Sequence, residues 1–101
     1  MTIPIANVDD LGFAPHGARL ASVLEADNTR VLLLSLDEGQ AVAPCQMSLT
    51  VLYLVLEGRG RLQVGDESAE LEVGSLAIVP KDNVRSIQSE TRMRVLAVQA
   101  P

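Results

Sequence analysis

Aromatic side chains are almost missing: the 101 residues hold Phe13, Tyr53 and no tryptophan. Any core must be filled by Val, Leu, Ala and Ile, and single-stranded nucleic acid finds no stacking platform. Cys45 is the only cysteine and His16 the only histidine, which excludes an intrachain disulfide and a Cys-rich metal site. Lysine occurs once, at Lys81; the other seven of the eight basic residues are Arg, scattered without a stripe. Thirteen acidic residues bring the net charge to −5, so phosphate backbones would be repelled. The longest unbroken apolar run, Val51–Leu56, falls far short of a spanning helix. Asp9 and Asp10 stand where a secretory signal would be apolar. The expectation is a soluble, cytoplasmic, single-domain protein with neither nucleic acid nor a membrane as partner.

What is present is a succession of short apolar runs: Leu20–Leu24, Val31–Leu36, Leu49–Leu56, Leu62–Val64, Ala69–Val73, Leu76–Val79, Val84–Ile87 and Met93–Val98. Turn residues separate them, among them Asp27-Asn28, Asp37-Glu38-Gly39, Gly58, Gly65-Asp66, Gly74 and Lys81-Asp82-Asn83. Short runs broken this often predict an all-β fold, a small antiparallel sandwich or barrel. Residues 1–18, with Pro4, Gly12, Pro15 and Gly17, read as an N-terminal arm, and residues 19–100 as the barrel. The Leu49–Leu56 run could be helical by periodicity alone. Its Thr50, Val51, Tyr53 and Val55, closely bounded by Pro44 and Gly58, favour a strand.

One hairpin can be drawn residue by residue. Gly65-Asp66 makes a two-residue loop with glycine first, as a type II′ turn prefers. Val64 then opposes Glu67, Leu62 opposes Ala69 and Gly60 opposes Leu71. The other face pairs Arg61 with Glu70 and Arg59 with Glu72, which fixes the register.

Val31–Leu36, Leu49–Leu56 and Val95–Val98 are apolar on both faces. A sheet with one wet face should alternate. With no helix to cover the second face, a homodimer is expected, burying outward positions such as Leu52, Leu54 and Leu56.

The stretch "GQAVAPCQMSLTVLYLVLEG" (Gly39 to Gly58) has the frame of the first motif of the cupins: Gly, His-x-His, Glu, Gly. "YLVLEGRGRLQVGDE" (Tyr53–Glu67) is similar to the strand and hairpin that follow it in small bacterial cupins. "GSLAIVPKDNVRSIQS" (Gly74–Ser89) resembles the second motif: Gly, Pro six residues on, then His and Asn. The resemblance covers about Thr29 to Val98 and implies a small antiparallel jelly roll, often dimeric. It also implies a metal site, whose positions here are changed. Cys45 and Met47 stand at the two histidines, Val51 at the glutamate and Arg85 at the last histidine. Asp82 replaces a glycine and Ser89 an asparagine. Only Cys45 is a strong ligand for a transition metal, Met47 is a weak one, and Arg85 is a cation. Three protein donors are needed for an open zinc site, so no metal and no other cofactor is expected.

The expected interior is an apolar pocket lined by Cys45, Met47, Val51, Tyr53 and Arg85. Arg85 has two readings. It turns to solvent or pairs with an acid such as Asp82, which is the leading one, or it faces the pocket and grips a carboxylate or phosphate bidentately. Cys45 reads as a small buried hydrophobe ahead of a reactive thiolate, and Met47 as core filling. The Tyr53 hydroxyl needs a partner, from protein or ligand. His16, in "FAPHGA", reads as a solvated loop histidine. Arg92 and Arg94 read as the solvated face of a surface strand. No catalytic set is complete. The expected function is therefore metal-free binding or sensing of a small organic, possibly anionic, molecule. One alternative is a metal-independent isomerase or epimerase, as some metal-free cupins are, resting on His16 or Tyr53. The other is a structural dimer whose barrel is plugged by side chains.

Overall fold

The structure, a computed structural model, describes residues 2–10 and 19–101. Phe13, Pro15 and His16 lie outside the described residues. The described residues form nine strands: β1 (Arg19–Ala26), β2 (Thr29–Leu36), β3 (Cys45–Gln46), β4 (Thr50–Glu57), β5 (Gly60–Val64), β6 (Glu67–Leu71), β7 (Leu76–Val79), β8 (Val84–Ser89) and β9 (Met93–Ala100). Each of the eight apolar runs coincides with a strand, except that Leu49 lies just before β4 and Val73 just after β6; β3, two residues long, is the addition. Every pairing is antiparallel. Among the described residues no helix is long and apolar enough to cross a membrane.

The strands form two sheets, one of five in the order β1-β2-β9-β4-β7 and one of four in the order β3-β8-β5-β6. Of the barrel and the jelly roll it is the jelly roll that forms: each sheet keeps its own hydrogen-bond ladder, and the two do not close into one cylinder. The jelly-roll arrangement of two antiparallel layers remains. Alternation builds the core. Val51, Tyr53 and Val55 of β4 and Val95 and Ala97 of β9 face inward, across from Leu62 and Ile87 of the smaller sheet, and all are buried.

The β5–β6 hairpin has the register drawn from sequence, Val64 opposite Glu67 through Gly60 opposite Leu71. Gly65 has φ 57° and Asp66 does not have a positive φ, as a type II′ turn requires. Arg61 Nε donates to Glu70 Oε1 at 3.0 Å, and this hydrogen bond and the Arg61 charge hold the Glu70 carboxyl below its ordinary range. The expected Arg59–Glu72 pair is not formed; Arg59 reaches Glu90 instead, with Nε–Oε2 at 3.4 Å. Arg59 precedes β5, beyond the last hairpin rung, and its neighbour there is the β8–β9 turn: its carbonyl accepts from the amides of Glu90 and Thr91.

The outward face of the larger sheet is apolar on most strands. Leu52 and Leu54 of β4 stand beside Ile78 and Leu76 of β7 on one side and Val98 and Leu96 of β9 on the other. Leu76 and Ile78 are 67% and 66% exposed. Toward β2 the same face is covered, with Leu33 only 1% exposed. The N-terminal residues lie along this half: Arg94 Nη2 donates to the Val8 carbonyl at 2.9 Å, and its Nη1 is 3.7 Å from Asp9. Arg94 is thus a largely buried tether of the arm, and not the solvated side chain expected.

Gly58 closes β4 with φ 79°, and a Cβ there would collide with the backbone carbonyl of Arg92. Gly39 has a similar φ of 75° but open space around it. Gly39→Ala should lose about 1 kcal/mol, the left-handed penalty alone. Gly58→Ala should lose about 2 kcal/mol or more, with the collision added. Urea unfolding of the two variants beside the parent chain measures the difference.

Candidate functional site

Between the sheets lies a cavity of about 330 Å³, within the range of small-molecule pockets. Cys45, Met47, Val51, Tyr53 and Arg85 are brought together in its wall. They arrive by different routes. Val51 and Tyr53 are alternate inward positions of β4. Cys45 lies directly opposite Arg85 where β3 pairs with β8. Met47 is held by the β7–β8 turn, since the Asp82 amide donates to the Met47 carbonyl at 2.7 Å. Gln46 Nε2 adds a bond to the Asp82 carbonyl at 2.9 Å. Asp82 itself has φ 67°, the left-handed conformation that a glycine would take without strain, and Asp is among the side chains that tolerate it.

The wall is mainly aliphatic, with Leu32, Leu34, Ile87 and Ala97 among its members. The exposed members mark the mouth, Leu20 on β1 with Ala41, Ala43 and Cys45. Cys45 is accordingly exposed, which corrects its reading as a buried hydrophobe: it stands where β3 begins at the cavity rim. Gln99 is a member that periodicity alone could have revealed. It continues the inward series Met93, Val95, Ala97 of β9, is 7% exposed, and its Nε2 lies 3.7 Å from the Met47 sulfur.

Arg85 decides the character of the site. It is 2% exposed, so the solvent reading is overturned. Among the described residues no acid pairs with it either: its Nε and Nη2 both donate to the Asn83 carbonyl, at 3.2 and 3.0 Å. β8 places Arg85, Ile87 and Ser89 on the buried face and Val84 and Gln88 on the exposed one. Arg85 Nη1 is buried without a hydrogen-bond partner. The Tyr53 phenol is pushed above its ordinary value chiefly by burial. The nearby guanidinium, whose donors and charge favour the phenolate, pulls it partway back, and the Cys45 thiol adds a small upward push.

The residues at the four cupin metal positions do not fit a divalent ion. They offer one thiol and one thioether beside an aliphatic side chain and a buried guanidinium, which would repel a cation directly. Among the described residues no group of three or more His, Cys, Asp or Glu side chains comes together. Ser89, at the former asparagine position, has a structural task. Its hydroxyl accepts from the Gln40 amide at 3.1 Å and lies within bonding reach of the Asp37 and Gln40 carbonyls, pinning the turn after β2.

No family model matches the chain, and no curated protein matches it in sequence. Solved structures match it over almost its whole length. A protein from Thermus thermophilus superposes with a TM-score of 0.89 at 25% identity, covering 98% of each chain. An RmlC-like cupin from Desulfovibrio desulfuricans gives 0.86 at 20% identity, covering 100% of this chain and 98% of its own. A protein with a double-stranded β-helix domain from Klebsiella pneumoniae gives 0.87 at 20% identity, covering 99% and 91%. The chain has the cupin fold.

Tyr53 is the only tyrosine, so its phenolate absorbance can be followed without interference. The titration midpoint should lie above 10.0, its ordinary value, and should move higher still in Arg85→Met, which removes the group favouring the phenolate. The unfolded chain ionises first, so the folded protein holds the extra proton between the two midpoints. Stability should therefore fall as pH rises above 10 and level off beyond the folded midpoint.

Proposed function

We propose that this chain is a metal-independent binding module of the cupin fold whose cavity holds a small organic molecule. The observation that carries this reading is the cavity itself: an aliphatic enclosure of about 330 Å³ with one buried guanidinium in its wall. A barrel plugged by its own side chains would not leave that space, so the reading as a filled structural dimer is disfavoured. An isomerase would need an acid–base pair. The wall supplies a phenol, a thiol and an amide, but no carboxylate and no described histidine. Fold alone does not choose, because one fold hosts many functions; the lining supports the binding reading.

The purified protein should carry no stoichiometric Fe, Mn, Zn or Ni by elemental analysis. Ala97, 4% exposed on the cavity wall, gives the steric test. Ala97→Leu should stay folded, because its added volume enters the void, and should weaken binding of aromatic fragments found by ligand-observed NMR about tenfold or more. Equal binding in that variant would place the fragments elsewhere and end the reading.

The module is proposed to work as a pair of identical chains. The uncharged outer strip of Leu52, Leu54, Leu76 and Ile78 belongs to a chain of net charge −5. Two copies can bring such strips together without opposing like charges, and a two-fold axis makes one strip its own complement. Sedimentation velocity should show a dimer, and Ile78→Lys should shift it to monomer without unfolding it. A parent chain that sediments as a monomer would refute the pairing.

A further inference from the structure

The feature that packing leaves unexplained is electrostatic. Arg85 takes part in none of the ion pairs among the described residues, which join Arg30, Arg59, Arg61 and Arg94 to acids. A buried cation without a counter-charge is strongly unfavourable, and such groups concentrate at functional sites. The cavity wall does not supply the missing charge, for no Asp or Glu lines it. Tyr53 does not supply it either, because burial keeps its phenol protonated at neutral pH. The side-on edge of the guanidinium is tied to the Asn83 carbonyl. That fixes the plane of the group and leaves Nη1 as the corner without a partner. A side-on bidentate grip on a ligand is therefore unavailable; what remains is a donor corner held in place.

We infer that the cavity selects a small apolar monocarboxylate, its carboxylate seated on Arg85 Nη1 and its body against the Leu32, Leu34, Val51 and Ile87 wall. This inference rests on the cavity being a ligand site and adds the chemical class of the ligand. The charge is single because the wall holds one cation: a phosphate dianion would bring a second negative charge with nothing to meet it. The neutral Tyr53 hydroxyl, close enough to feel the Arg85 guanidinium, is a further polar group in the wall. The size follows from volume. A cavity of about 330 Å³ lies at the lower end of the range that holds small organic ligands. Arg85 thereby has a reason to be there: its burial, unfavourable in the empty chain, is compensated when the anion binds.

The test uses three probes of one shape, benzoate, benzamide and benzylamine, titrated into the full chain in carboxylate-free buffer by calorimetry and thermal shift. Benzoate should bind about ten- to a hundredfold tighter than benzamide, the range expected for a charge-assisted hydrogen bond, and benzylamine weakest of all. In Arg85→Met benzoate should lose its advantage over benzamide, both binding within about twofold of each other. Without ligand that variant should melt no lower than the parent chain, since an uncompensated cation has been removed. Benzamide binding as tightly as benzoate to the parent chain overturns the monocarboxylate assignment and leaves the cavity a ligand site. Failure of all three probes overturns both. If Arg85→Met does not fold, the three-probe comparison on the parent chain still decides.

Discussion

The constraint on which the rest depends is how the space between two sheets is filled. Facing sheets stand about 10 Å apart, and only inward side chains can occupy the gap. At one end they do. Leu36, Val55, Met93 and Val95 are all but inaccessible, and Leu62 and Leu71 close over them from the smaller sheet. Toward the other end the inward residues include Val51, Ala97 and the polar Gln99. Tyr53 is the one buried aromatic among the described residues. Close packing tolerates few voids larger than a water, so a void of this size, with a mouth, is not a packing accident spread through the core. It follows from small residues placed at one end of two central strands.

The cupin frame is kept although the residues at its metal positions are changed, and the turn before β8 shows how. Asp82 keeps the left-handed backbone and ties the turn to Met47 and Gln46 through its own amide and carbonyl. Those bonds involve backbone atoms of Asp82, so the frame holds whatever side chains follow. Arg85 and Cys45 then meet across β8 and β3 as the motif positions do by register alone. The frame fixes where the corners are; the side chains at those corners decide what they attract. Here they are a thiol, a thioether, an aliphatic side chain and a guanidinium, a set that does not fit a divalent ion.

How much of this was legible in the sequence depended on distance along the chain. The β5–β6 hairpin was readable to the residue because turn, alternation and charge pairing all lie within about a dozen positions. The Arg59–Glu90 contact was not, because it joins hairpin and β8–β9 turn, and no local pattern reports that neighbour. Arg85 shows the same limit more sharply. Val84 and Ile87 put an apolar residue on each face of β8, so its alternation cannot say which face is buried. The tie is broken by Ile87 lying opposite Leu62, whose inward direction the hairpin had already fixed. The five lining residues were found through motif positions, but their enclosure, the two separate sheets and the empty corner of Arg85 needed the third dimension.

The two surplus features of the chain, an underfilled interior and an apolar exterior, lie at opposite edges of the same sheet. β1 and β7 are its outermost strands. Leu20, on the inward-facing series of β1, helps form the cavity mouth, while Leu76 and Ile78 project outward from β7. Between them lie three strands whose inward side chains face the cavity and core, while the outward apolar strip runs along β4 and β7, away from the covered β2 half. A second copy seated on the β7 side would therefore leave the mouth clear, and a ligand entering past Leu20 would not cross the contact. β4 and β9 belong to both surfaces, with Tyr53 and Ala97 on one side and Leu54 and Leu96 on the other. Pairing there would stiffen the strands that carry the cavity wall while contributing no side chain to it.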